Sequence, residues 1–119
     1  MEAVMAVKRI VANIAVDNVD AARGFYGDLL GMNVVMDHGW ILTFASDHAT
    51  VPQISVATEG GSGTPVPDLS IEVDDLDEVY SRVLAVGIAI EYGPVRESWG
   101  VRRFFVRDPF GRLLNILAH

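Results

Sequence analysis

Two stretches of this chain carry one pattern at a constant spacing of 57 residues, and that repetition limits the possible folds more than any other feature. Arg9–Met36 reads RIVANIAVDNVDAARGFYGDLLGMNVVM, and Val66–Tyr92 reads VPDLSIEVDDLDEVYSRVLAVGIAIEY. Val16-Asp17-Asn18-Val19-Asp20 falls on Val73-Asp74-Asp75-Leu76-Asp77. Each half runs from an alternating strand through an acidic turn into a helix closed by glycine (Gly31, Gly87), and then into a second apolar strand. Identity between the halves is low; the pattern is what they share.

Alternation sorts the strand residues by face. Ile10, Ala12, Ile14 and Val16 point one way, and Val11, Asn13 and Ala15 the other. In the second half Leu69, Ile71 and Val73 oppose Asp68, Ser70 and Glu72. The purely apolar set is expected to pack under the helix. Helix one is expected from Val19 to Leu30, capped by Asp17 or Asn18 and stopped by Gly31, with Val19, Ala22, Phe25, Tyr26, Leu29 and Leu30 as its buried stripe. Helix two, Leu76 to Val86, repeats this with Asp74 or Asp75 as cap and Leu76, Val79, Tyr80 and Val83 as stripe.

Further strands are expected at 33–37, 40–45 and 53–58, then at 88–92, 102–107 and 113–118. Asp37-His38-Gly39 reads as a tight hairpin. Asp108-Pro109-Phe110-Gly111 carries the residues of a type I turn at its first, second and fourth positions. Residues 58–67 (TEGGSGTPVP) are rich in glycine and proline and read as a surface linker. One domain over 1–119 is expected, with module one at about 8–58 and module two at about 68–119.

Composition removes several functions. With no cysteine in 119 residues there is no disulfide framework, thiolate metal site or cysteine nucleophile, which fits a reducing, cytoplasmic location. A net charge of −7 opposes nucleic-acid binding, which needs a basic stripe. No apolar run approaches the ~20 residues of a membrane span. The start of the chain does not read as a secretory signal, because Glu2 precedes the apolar residues and Lys8-Arg9 follow them. Gly60-Gly61-Ser62-Gly63 has no Lys-Ser/Thr after it and is not a phosphate loop.

A βαβββ unit has one helix, so the other face of its sheet needs covering. By parity Asn13, Gln53, Ser55, Asp68, Ser70 and Asn115 fall on those faces, where polar groups need water, each other or a ligand. Arg103 and Phe105 share one face of their strand and Arg102 and Phe104 the other; the first pair is favoured for the pocket. Trp99, just before that strand, and Trp40, opening another, are the candidate stacking rings. Asp68 is the one acidic candidate and the candidate general base.

The segment Phe25-Tyr26-Gly27-Asp28-Leu29-Leu30-Gly31-Met32 resembles the "FY…LG" signature of the vicinal oxygen chelate superfamily, and so does the strand-turn-strand from Arg102 to Asn115. This superfamily includes glyoxalase I, extradiol dioxygenases, fosfomycin-resistance transferases and bleomycin-resistance binding proteins. The resemblance runs from about Arg9 to His119 and implies an α+β fold: two βαβββ modules forming a cupped mixed β-sheet, helices on the outer face. It also implies a homodimer. It does not select an activity, because one scaffold serves many.

Metal-using members hold their ion from four strand positions, which fall here on Val11, Gln53, Asp68 and Asn115. Valine has no donor, two of the others are neutral amides, and only Asp68 carries charge. Such a set would hold a divalent ion weakly at best, so no cofactor is expected. His38, His48 and His119 lie in a hairpin, a loop and the terminus and read as surface residues. The Trp99 segment resembles the cavity lining of drug-binding relatives. The leading reading is therefore a metal-independent small-molecule-binding protein of the bleomycin-resistance type. The rivals are a glyoxalase-like lyase or isomerase using Asp68 or an arginine-polarised substrate, and a regulatory or interaction module.

Overall fold

A computed structural model describes residues 6–47 and 52–119. The described chain divides into two compact units, Val11–Val66 (module one) and Pro67–His119 together with Ala6–Ile10 (module two). The fold is α+β, and both modules have the βαβββ order.

In module one the strands are β1 (Val7–Ala15), β2 (Asn33–Asp37), β3 (Ile41–Ala45) and β4 (Gln53–Ala57), in the spatial order β2-β3-β4-β1. β3 is antiparallel to β2 and β4, and β1 is parallel to β4, with Asn13 beside Ser55. The core consists of Val19, Ala22, Leu42, Phe44 and Val56, with Val16, Tyr26, Met32 and Ile54 against it. The Asp37-His38-Gly39 hairpin forms as expected: the Asp37 carboxylate accepts from Gly39 N–H at 2.9 Å and His38 N–H donates to the Ile41 carbonyl at 3.1 Å.

The first helix departs from expectation. Asn18 Oδ1 accepts from Asp20 N–H at 2.9 Å, but the chain then winds into a seven-residue π-helix, Arg23–Leu29. Leu30 N–H donates five residues back to the Phe25 carbonyl at 3.1 Å. Gly24 and Gly27 supply the reason, since each weakens an α-helix by roughly 1 kcal/mol relative to alanine. The wider turn buries only Val19 and Ala22 of the predicted stripe; Phe25 (52%), Leu29 (70%) and Leu30 (55%) are exposed. Short of cover, the module also leaves an open groove of about 470 Å³ lined by Ile14, Val16, Asp17, Ala22, Tyr26 and Val56.

Module two contains β5 (Leu69–Val73), α1 (Leu76–Ala85), β6 (Tyr92–Arg96), β7 (Arg102–Arg107) and β8 (Leu113–Ala118), in the strand order β5-β8-β7-β6. β5 runs parallel to β8, and β7 antiparallel to both neighbours, repeating module one. α1 packs Leu76, Val79, Tyr80 and Val83 onto Val73, Phe104, Val106 and Ile116, as its stripe predicts. Asp75 is the cap, accepting from Glu78 N–H at 3.1 Å, while Asp74 accepts from Ala6 N–H at 2.7 Å. The turn at 108–111 closes with Gly111 N–H on the Asp108 carbonyl at 3.1 Å, and Asp108 Oδ1 accepts from Phe110 and Arg112 N–H.

Two further expectations are corrected. The strand placed at 88–92 begins instead at Tyr92 and runs through Gly93 to Arg96. A Cβ at Gly93 would lie 2.6 Å from the Arg103 carbonyl, so glycine lets the strand pass close to β7, and the register shifts between Tyr92 and Val95. Within the segment 58–67, Gly60, Gly61, Thr64 and Pro67 are buried rather than exposed. Thr64 Oγ1 donates to the Gly61 carbonyl at 2.8 Å, and Gly60 N–H to the Thr64 carbonyl at 2.8 Å.

Candidate functional site

The face of module two opposite α1 gathers most of its polar and aromatic chemistry. Register sets Ser70 beside Asn115, Asn115 beside Phe105 and Phe105 beside Tyr92. The adjoining row is Glu72, Leu117, Arg103 and Val95. Phe104 lies in the core under α1 and Arg102 donates to Asp77 of that helix at 2.7 Å, so Arg103 and Phe105 are the pair on this face.

Arg103 is only 2% exposed, and a buried guanidinium requires both a counter-charge and partners for its flat faces. Its Nε donates to Glu97 Oε2 at 2.7 Å, and Tyr92 donates its hydroxyl to the same oxygen at 2.8 Å. The guanidinium carbon lies 4.8 Å from the Phe105 ring centroid, 5.1 Å from Trp99 and 5.4 Å from Tyr92. The loop carrying Trp99 is tied at its base: Glu97 N–H donates to the Val101 carbonyl at 2.8 Å and Gly100 N–H to the Glu97 carbonyl at 3.1 Å. One cation thus orders three aromatic rings.

Beside this cluster, Asn115 is 8% exposed. Its Nδ2 donates to Ser70 Oγ at 3.1 Å, while its Oδ1 is buried without a hydrogen-bond partner. Glu72, also buried, meets Arg9 at 3.1 Å, Lys8 at 3.6 Å and His119 at 3.8 Å. Asp68 is engaged with the backbone: its Oδ2 accepts from Leu113 N–H at 3.0 Å at the start of the strand pair.

In module one the face away from the core aligns Asn13, Ser55 and Thr43, with Gln53 on the same side of β4. Thr43 and Ser55 share a buried hydroxyl–hydroxyl hydrogen bond of 2.8 Å. Trp40 stands apart at the hairpin, its ring 6.0 Å from that of His38. His48 lies outside the described residues.

Among the sequence candidates, module two therefore brings together Ser70, Trp99, Arg103, Phe105 and Asn115, and module one groups Asn13, Gln53 and Ser55. Sequence reasoning missed Thr43, Glu72, Tyr92 and Glu97. Thr43 had a signal as the lone polar side chain in an apolar strand, and Glu72 had its parity with Ser70. Pairing of Glu97 with Arg103 across a hairpin needed the register.

The donor set does not fit a catalytic divalent ion. Module one offers a valine and an amide at the superfamily's ligand positions, and module two offers a carboxylate bound to a backbone N–H and an amide tied to a serine. Among the described residues no three His, Cys, Asp or Glu side chains converge. Hard ions require several anionic or imidazole donors.

Residues 7–116 match the family model of the Glyoxalase/Bleomycin resistance protein/Dioxygenase superfamily. The chain belongs to that superfamily. No curated protein matches it in sequence. Among solved structures of this glyoxalase-type fold, methylmalonyl-CoA epimerase from Mycobacterium tuberculosis is 24% identical with a TM-score of 0.68, over 99% of this chain and 92% of that one. A superfamily member from Vibrio splendidus 12B01 is 20% identical with a TM-score of 0.59, over 93% and 98%. A structure described as an NAD-dependent benzaldehyde dehydrogenase from Legionella pneumophila is 19% identical with a TM-score of 0.72, over 92% and 98%. At these identities the likeness is one of fold.

Proposed function

We propose that this superfamily member is a metal-independent, cytoplasmic, homodimeric binding protein for a small flat organic molecule, received on the face of module two. The observation that carries this reading is the ring set ordered around Arg103. The half-buried rings of Tyr92 and Trp99, backed by the buried Phe105, surround a charge balanced internally by Glu97, so that Tyr92 and Trp99 are the rings that can offer apolar and stacking contacts to a guest. The poverty of anionic donors at the superfamily's ligand positions supports binding without a metal. Exposed Phe25, Leu29, Leu30, Val34 and Val35 in module one support a second copy.

A Trp40→Phe variant leaves Trp99 as the one tryptophan of the chain. Titration with a panel of flat aromatic compounds should quench or shift its emission saturably, and light scattering should give twice the chain mass. Failure of every flat compound to saturate, or tight stoichiometric retention of a divalent ion with loss of fold on chelation, would overturn the reading.

A second reading, a superfamily isomerase acting by proton transfer, is favoured by Glu72, a buried carboxylate on the same face as Ser70 and Asn115. Solvent deuterium uptake into candidate carbon acids, lost in Glu72→Gln, would support it over simple binding.

A further inference from the structure

We infer that the open groove of module one is a binding site for an amphipathic organic cation, an ammonium group carrying an aliphatic body. The groove belongs to the helix-bearing side of the sheet, where Val16, Tyr26 and Val56 pack with the core, and not to the polar face of Asn13, Ser55 and Thr43. It is therefore separate from the module-two face described above. Register sets Ile14 of β1 beside Val56 of β4. With Val16, Ala21 and Tyr26 they line a trough of about 470 Å³, within the roughly 300–1,000 Å³ of small-molecule sites. Ile14 is 40% exposed there, so apolar wall is left in water.

Asp17 is the one charged residue of that lining. It is exposed and meets no cation or hydrogen-bond donor among the described residues. The cation nearest to it in sequence is committed elsewhere: Arg23 is held by Asp20 at 3.2 Å and by Asp37 at 2.9 Å. The neighbouring Asn18 Oδ1 is likewise taken, by Asp20 N–H. An apolar trough with a single uncompensated carboxylate suits a guest with one positive end and disfavours an anionic amphiphile. The net charge of −7 adds a field of the same sign. The π-helix is a second, independent pointer, because π-helical turns concentrate at functional sites. Its wide turn leaves Phe25 and Leu29 exposed and makes Tyr26, whose ring rests 5.5 Å from that of Phe44, the aromatic wall of the trough.

The probes are n-octylammonium, 1-octanol and octanoate, which share a chain and differ in the charge of the head. In an NMR titration octylammonium should shift the methyl signals of Ile14, Val16 and Ala21 saturably. It should bind about threefold more tightly than 1-octanol, an advantage that fades in high salt, and octanoate should bind most weakly. Butylammonium should bind at least about tenfold more weakly than octylammonium, because the shorter chain leaves apolar wall uncovered. Asp17→Asn, which breaks no hydrogen bond among the described residues, should bring octylammonium down to the affinity of 1-octanol and leave 1-octanol unchanged. Ala21→Phe, at an exposed position, should weaken every probe by filling the trough. Equal binding of octylammonium and 1-octanol by the wild type, a preference that survives Asp17→Asn, or shifts confined to module two would each overturn the proposal. So would an octylammonium affinity that falls as chain concentration rises, which would show a second copy occupying the trough instead. None of these failures touches the flat-molecule reading, which is followed separately through Trp99 emission.

Discussion

Arg103 and Glu97 show how one pair of residues sets the chemistry of a whole face. Both are almost fully buried, with side chains 3% and 5% exposed, so each ion depends on the other for what water would have supplied. Removing one partner should therefore cost more than removing both. Glu97→Leu or Arg103→Met alone is expected to lower stability by roughly 3 kcal/mol, and the double variant by clearly less, as read from urea denaturation midpoints. Additive losses would show that the pair is not coupled. That Arg103 faces away from the helix was legible in the sequence, because parity in β7 left only two choices. Its carboxylate was not legible: Glu97 lies in a loop, where no periodicity assigns direction, and the pairing depends on how β6 and β7 align past Gly93.

Elements were readable in proportion to how fully local chemistry determines them. The Asp108–Gly111 turn, the Asp37–Gly39 hairpin and α1 with its carboxylate cap each carry their partners within a few residues, and each forms where the sequence puts it. The first helix fails this test because apolar spacing and backbone propensity disagree within it. Spacing favours a stripe through Leu30, while Gly24 and Gly27 loosen the turn that would present it. Gly24 has open space where a Cβ would stand and does not have a positive φ. Gly24→Ala should thus stabilise the protein by about 0.5–1 kcal/mol, with a gain in helical circular dichroism. A loss of stability would mean that the π-helical form is held by packing rather than tolerated for want of propensity.

For the molecule as a whole, net charge and individual pairings make different contributions to acid behaviour. Gly39 N–H, and then the Arg23 guanidinium at 2.9 Å, hold the Asp37 carboxyl below its ordinary value near 3.8. A carboxyl whose folded value is depressed favours the native state above its unfolded value, and that benefit is lost as pH falls through the folded one. Asp37→Asn should therefore flatten the stability profile below about pH 4 and lower the plateau at neutral pH, as followed by urea midpoints across an acid series. An unchanged acid limb would place the sensitivity among other carboxylates. The repeat itself, two modules with one strand order and one pairing pattern, was visible in the sequence because it rests on alternation and on paired acidic turns. The assignment of Ala6–Ile10 was not, since no local pattern distinguishes which half a strand's first residues serve.

That shared strand bears on how such a chain can be divided. Ala6–Ile10 belong with the later half, where Ala6 meets Asp74 and Lys8 and Arg9 balance Glu72. A polypeptide starting at Pro67 would look like a complete repeat by length and pattern, yet it would leave the buried Glu72 without Lys8 and Arg9. The two copies are therefore not interchangeable cassettes: an inheritable unit of this architecture has to include the opening residues of its neighbour.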